Sequence, residues 1–288
     1  MTPLSFAAFT ASTVLVSLLG ARLFASPRFA VLTGVLFVLT PLLWRQTQDA
    51  SGSLYALPFV AGWLFAAAHM TSTHASWWPV IAGGLLGGGV YTSNAAAVMM
   101  PFYALLTIAV FAQARAVRLR ELALFVAAFA IAAGPLAVSF ISHPERFRDT
   151  VNAYHLYDAN RFNVLQGIRE MSSWVGLTAR TEVYYDYFNP AFLFLTGRVL
   201  LFPLVVLIPA GVYQIVSGET TPLARLSLVG FLAAPFAASL TAQPPIPGRI
   251  LFITPFAAIV AAYGVKRVLS WRFSFFGESW RLARSPYR

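Results

Sequence analysis

Ten carboxylates, four histidines and twenty basic side chains are the chain's main resources for acid–base, metal or ionic chemistry, and it has no cysteine. The missing cysteine removes disulfide frameworks, thiolate metal sites and thiol nucleophiles together. The acids are Asp49, Glu121, Glu145, Asp149, Asp158, Glu170, Glu182, Asp186, Glu219 and Glu278, and six of the ten fall between residues 143 and 197. Asp49 stands in WRQTQDASGSLYALP, where Arg45, Gln46 and Gln48 gather polar groups between two apolar runs. A carboxylate there has two uses. It can bind a metal ion or position a polar acceptor, or the following helix can be capped by Asp49 or Ser51, where the helix dipole favours negative charge. Arg249 lies in QPPIPGRILFITP, whose prolines and glycine hold a fixed turn just before an apolar run. Its guanidinium fork suits phosphate oxygens, and the same side chain would also serve simply by snorkelling to an interface.

The remaining candidates are weaker. His155 and Asp158, in NAYHLYDAN, pair an imidazole with a nearby acid, which suits a base or an ordinary surface pair equally. His69 and His74 bracket a turn with no acidic or thiol neighbour, so no metal site is expected there. The run GGLLGGG sets Gly83 with Gly87 and Gly84 with Gly88, a small-xxx-small spacing that reads as close helix packing rather than phosphate binding.

The elements that must position these residues follow from composition. Of 288 residues, 58% are hydrophobic and only 10% charged, against about 25% charged in an ordinary soluble domain. Soluble and disordered chains are both excluded, the latter because disorder needs high charge and low hydrophobicity. An all-α polytopic bundle remains. A spanning helix needs about 20 mostly apolar residues, and nine such runs are read at about 4–24, 28–44, 51–69, 76–92, 94–113, 121–142, 198–217, 222–241 and 249–269. Pro58, Pro135, Pro203 and Pro235 are expected to kink their helices, which a bundle tolerates when neighbours satisfy the freed carbonyls.

Nine spans alternate the connections between two sides. One set carries Arg22, Arg28, Arg115, Arg118, Arg120, Lys266, Arg267, Arg272, Arg281, Arg284 and Arg288, and basic connections of this kind stay cytoplasmic. The net charge of +10 is therefore a topology signal and not a nucleic-acid one. The C-terminus falls inside and Met1 outside, with neither a basic n-region nor a small-residue cleavage pattern after it, so at least one further helix is expected upstream. Residues 1–270 form the transmembrane unit, and 271–288, SWRFSFFGESWRLARSPYR from Ser270, form a basic aromatic tail lying on anionic lipid. The segment 143–197 is the one long outer loop. It is too aromatic to be disordered, and FNVLQGIREMSSWVGL within it has the spacing of an amphipathic interfacial helix. No acid falls in mid-span and no internal repeat is evident, which argues against an ion-coupled transporter.

The order of these features resembles the GT-C superfamily of membrane glycosyltransferases, in particular the branch of protein O-mannosyltransferases and bacterial aminoarabinose transferases. Four stretches carry the resemblance: ASTVLVSLLGARLFASPRFAVLTGVLFVLTPLLWRQTQDASGSLYALPFVAGWLFAAAH, GGLLGGGVYTSNAAAVMMPFYALLTI, FISHPERFRDTV and PIPGRILFITPFAAIVAAYGV. The resemblance implies transfer of a sugar from a polyprenyl-phosphate donor to an extracytoplasmic lipid, glycan or protein acceptor, in a bacterial inner (plasma) membrane. By position, Asp49 matches an acidic catalytic site that helps hold a divalent metal ion or the acceptor. Arg249 matches the donor-phosphate contact, while Arg45, Gln48, His155 and Asp158 would line the acceptor cavity. The family's main catalytic carboxylate follows a first helix that has no counterpart here, so the expectation is an N-terminally incomplete transferase. Two other readings stay open: a flippase, polymerase or transporter of lipid-linked saccharides, and a non-catalytic membrane scaffold.

Overall fold

The computed structural model of the chain describes residues 2–49, 52–73, 75–154, 156–218 and 221–283, and within them all side chains but those of Asp49, Arg146, Ala153 and residues 271–283. The described residues form helices and turns with no strand. In chain order the first seven helices are α1 (Pro3–Phe24), α2 (Pro27–Val38), α3 (Pro41–Asp49), α4 (Leu57–Thr73), α5 (Trp77–Gly89), α6 (Asn94–Gln113) and α7 (Leu119–Ser142). Three helices of the long segment follow, α8 (Pro144–Ala153), α9 (Val164–Met171) and α10 (Trp174–Asp186), then a π turn at Ala191–Thr196. The chain closes with α11 (Leu204–Ser217), α12 (Pro222–Ala233), α13 (Phe236–Ser239), a 3₁₀ turn at Pro247–Ile250 and α14 (Ile253–Ala283).

Six helical segments are long and apolar enough to cross a membrane, and a seventh qualifies if α2 and α3 count as one span bent by 55°. Two further runs read as spans give shorter helices, α5 with 13 residues and α11 with 14. Where the sequence reading runs one span over 28–44, the helix breaks at Pro41. That proline has no N–H and its ring crowds the carbonyl one turn back. The break is closed locally: Thr40 donates its hydroxyl to Leu36 O at 3.0 Å, and the Trp44 indole donates to Val38 O at 2.7 Å. Of the prolines expected to kink, Pro203 and Pro235 cap the starts of α11 and α13, Pro58 lies in the first turn of α4, and Pro135 stays inside α7. At Pro135 a neighbour repairs the ladder. Tyr91 donates its hydroxyl to Ala132 O at 2.9 Å and accepts from Leu136 N at 3.2 Å, bridging the turn that contains the proline.

α4 and α14 form the centre. α4 packs on α1, α5, α12 and α14, and α14 packs on α2, α11 and α12. Between them Trp63, Tyr103, Phe252 and Phe256 make one buried aromatic cluster, with Trp63 stacked on Tyr103 at 5.2 Å. Without a hydrophobic force between helices in lipid, close approach depends on small residues. A side chain on Gly211 would meet the backbone of Val260, and one on Gly264 would meet the backbone of Leu207, so α11 and α14 touch main chain to main chain. Gly83 and Gly87 do the same for α5 against α7, where added side chains would meet Phe125 and Phe129 backbone. Of the two glycine pairs in that run, 83 with 87 makes the contact; Gly84 faces open space and Gly88 faces Phe59.

The passes leave two distinct ends. At one, Arg22 donates to Ser72, Phe24 packs at a tilt on Tyr263 and a small cavity joins Arg22, Ser72 and Thr221. At the other, Ser5 bonds Tyr55 and Gly52 approaches Thr92 O. α14 continues unbroken through residue 270 to Ala283, so the segment read as a separate tail begins as the extension of that helix.

Candidate functional site at the loop-bearing end

The end that carries Tyr55 also gathers α3, the 3₁₀ turn Pro247–Ile250 and the far side of the long segment. α3 begins where Pro41 breaks the previous helix, and the bend turns its polar face toward the turn. Gln46 is buried there, and its Nε2 lies 2.9 Å from where a Gly248 side chain would begin. Arg45 reaches the other way and donates Nη1 to Gly197 O at 3.4 Å, tying α3 to the end of the π turn. Arg249, half-buried on the 3₁₀ turn, donates Nη1 to Thr241 Oγ1 at 2.9 Å. Tyr187, fully buried at the end of α10, accepts from Ile246 N at 3.2 Å and packs edge-on against Phe192. Burial pushes the Tyr187 hydroxyl above its ordinary pKa, opposed by the Ile246 N–H and by the nearby Arg249 guanidinium.

A second arginine fixes the loop over this turn. Arg180 on α10 donates from Nε to Leu240 O at 3.0 Å, from Nη1 to Gly176 O at 2.9 Å and from Nη2 to Leu156 O at 2.8 Å. Its fork thus joins three separate stretches of main chain, a use that a lysine's point charge does not match. Burial lowers its pKa, countered by Glu170. Backbone strain lies beside the same contacts. Arg198 (φ 47°), next to Gly197, and Ala242 (φ 49°), next to Thr241, are both left-handed without being glycine; such residues cost about 1–3 kcal/mol each and persist where surrounding contacts over-determine them. Ala25 and Arg115, the other two such residues described, merely end α1 and follow α6 at the opposite end.

Of the residues singled out by sequence, Arg45 and Arg249 reach this region and are linked through α3, Gln46 and the turn. Gln48 is exposed. Helical geometry turns it about 200° from Gln46, so Gln46 rather than Gln48 faces the turn. Asp49 is the last residue of α3, its side chain outside the described residues, and His155 lies outside them altogether. Asp158 is exposed and serves a turn: its carboxylate accepts from Asn160 N at 3.0 Å while its carbonyl accepts from Arg161 and Phe162. Among the described residues no group of three His, Asp or Glu is placed to hold a metal ion. His69 packs on Trp78 at 4.1 Å and bonds Phe65 O, the role of a satisfied core histidine.

The amphipathic stretch of the loop folds as two helices, not one. Ser173 accepts from Gly176 N and starts α10 where α9 has ended at Met171. Val164, Leu165, Ile168, Trp174 and Val175 are exposed along the pair, an apolar face of the kind that lies in a membrane interface. Within the spans, by contrast, several buried hydroxyls are satisfied at home. Ser12, Thr33, Thr107 and Ser227 each donate to the carbonyl four residues back in their own helix, so these four do not converge as a mid-membrane polar site would require.

Neither Gln46 nor Arg180 was separable by sequence reasoning from the polar residues beside it. Tyr187 gave no signal beyond being one of several tyrosines. Compared with protein families, curated proteins and solved structures, the chain matches none.

Proposed function

We propose that this chain is a membrane glycosyltransferase that moves a sugar from a polyprenyl-phosphate donor to an acceptor at the loop-bearing end of the bundle. The observation that supports the reading is the meeting of α3, the Arg249 turn and the end of the long segment in one place, with Arg249 anchored by Thr241 beside buried Tyr187. In such a transfer the bond from sugar carbon to phosphate oxygen breaks while the acceptor oxygen bonds to the same carbon, and the acceptor's proton leaves to a base. The transition state is oxocarbenium-like, with negative charge growing on the departing phosphate. Arg249 supplies fixed positive charge for that phosphate, and Asp49, on the last turn of α3, is the acid assigned to the acceptor. The exposed apolar faces of α9 and α10 keep the loop at the lipid surface, where a lipid-borne donor arrives. The hydroxyls of Ser12, Thr33, Thr107 and Ser227, each turned to its own helix, favour transfer at one end over passage through the middle.

The test is sugar transfer in membranes that contain the full chain, from a panel of radiolabelled polyprenyl-phosphate sugars. Arg249→Gln is expected to lower the rate by about 10²-fold, the scale set by removing one preorganised donor to developing charge, and Asp49→Asn by a comparable factor. Transfer unchanged in both variants, or wild-type membranes that transfer no sugar from any donor, overturns the proposal.

A further inference from the structure

We infer that the groove where α6, α11 and α12 part, at the end opposite the proposed transfer site, holds one anionic phospholipid with its phosphate on Arg225. Arg225 lies one turn inside an apolar segment long enough to span a membrane. Its side chain is exposed, and an arginine near the end of a span reaches head-group depth, where lipid phosphate lies. Among the described residues the Arg225 side chain has no hydrogen-bond or ion-pair partner. What Arg225 does have is a cavity of about 300 Å³ shared with Gln113, Val110, Ile215, Val216 and Leu228.

That lining is graded. Arg225 and Gln113 supply donors at the mouth, and the aliphatic side chains form the walls, matching a phosphate above an acyl chain. The charge favours an anionic lipid over a zwitterionic one, since Arg22, Arg28, Arg115, Arg118 and Arg120 belong to the same end. The acid Glu121 there is committed to the start of α7, where it accepts from Arg118 N at 2.9 Å. Basic pockets between transmembrane helices bind lipid head groups by this combination of charge and apolar wall. The inference does not depend on the transferase reading, which concerns the other end.

Native mass spectrometry of the full chain in mild detergent, titrated with phosphatidylglycerol, phosphatidylcholine or inorganic phosphate, reads the site directly. Wild type is expected to retain phosphatidylglycerol about tenfold better than phosphatidylcholine, and Arg225→Gln to lose that preference. Val216→Trp, at an exposed position on the groove wall, leaves the cation in place and is expected to lose the lipid by filling its room. Equal retention of the two lipids by wild type, unchanged preference in Arg225→Gln, or binding of inorganic phosphate as tight as that of the lipid overturns the inference. Glu219, in the connection before α12 and outside the described residues, is the acid that would compete for Arg225. Glu219→Gln is expected to keep or raise lipid retention, and a fall matching that of Arg225→Gln would assign Arg225 to an ion pair instead.

Discussion

α7 and α14 are both apolar enough to span a membrane, yet they sit in the fold in opposite ways. The most apolar stretch of α7 has the highest hydropathy of the six qualifying segments and is only 6% buried, whereas Ile253–Ser270 of α14 has the lowest and is 67% buried. In water the ranking would run the other way, because burial there follows hydrophobicity. In lipid the most apolar surface is best left facing the acyl chains, and helices meet where small residues let main chains approach. α14 therefore gathers Gly264, Thr254 and a ring of alanines at its contacts, while α7 shows Ile131, Val138 and Ile141 to the outside and touches α5 mainly along Gly83 and Gly87.

The sharpest way to break that contrast is to overfill the α11–α14 contact. Gly264→Leu drives a side chain into the Leu207 backbone, and the expected result is loss of monodisperse protein on size exclusion, a cost above about 4 kcal/mol. Phe256→Ala empties the aromatic cluster at the centre and should cost about 3–5 kcal/mol in detergent unfolding. Gly83→Leu overpacks the α5–α7 contact instead, for about 1–3 kcal/mol. Because α7 has few other neighbours, the loss should be local: in this cysteine-free chain, a cysteine introduced on the α5-facing side of α7 at Ala132 would become reactive to maleimide while the bundle stays folded. An equally global collapse in Gly83→Leu and Gly264→Leu would erase the distinction. Tyr103→Phe removes a buried hydroxyl that has no partner among the described residues, and should raise the unfolding free energy by about 1 kcal/mol. Ile131→Ala on the outer face of α7 should change it by less than about 0.5 kcal/mol, since that face meets lipid in both variants.

Much of the helix layout was legible in advance. The runs read at 4–24, 94–113 and 121–142 correspond closely to α1, α6 and α7, because a backbone in lipid must satisfy its own hydrogen bonds and an apolar run of the right length has no alternative. The run at 28–44 is apolar enough to span but bends by 55° at Pro41, and prolines elsewhere behaved differently for reasons hydropathy cannot carry: Pro101, Pro135 and Pro209 remain inside helices, the second helped by a hydroxyl from Tyr91, 44 positions away. Of the site, Arg249 and Arg45 stood out through charge in an apolar setting. Arg180 did not, because an arginine in a polar loop looks like any solvated charge until its three carbonyl partners are brought to it.

By itself the sequence determined that this chain is a helical membrane protein, where α1, α6 and α7 start and stop, and which end collects its basic residues. Those properties depend on composition over a turn or a run, and a neighbour seldom reverses them. Only the tertiary structure decided that Gln46 rather than Gln48 faces the Arg249 turn, that Gly83 rather than Gly84 carries the contact with α7, and that the loop is clamped by Arg180. Each of these depends on the rotation of a helix about its own axis, where one residue is about 100°, and that angle is set by partners far away in the chain.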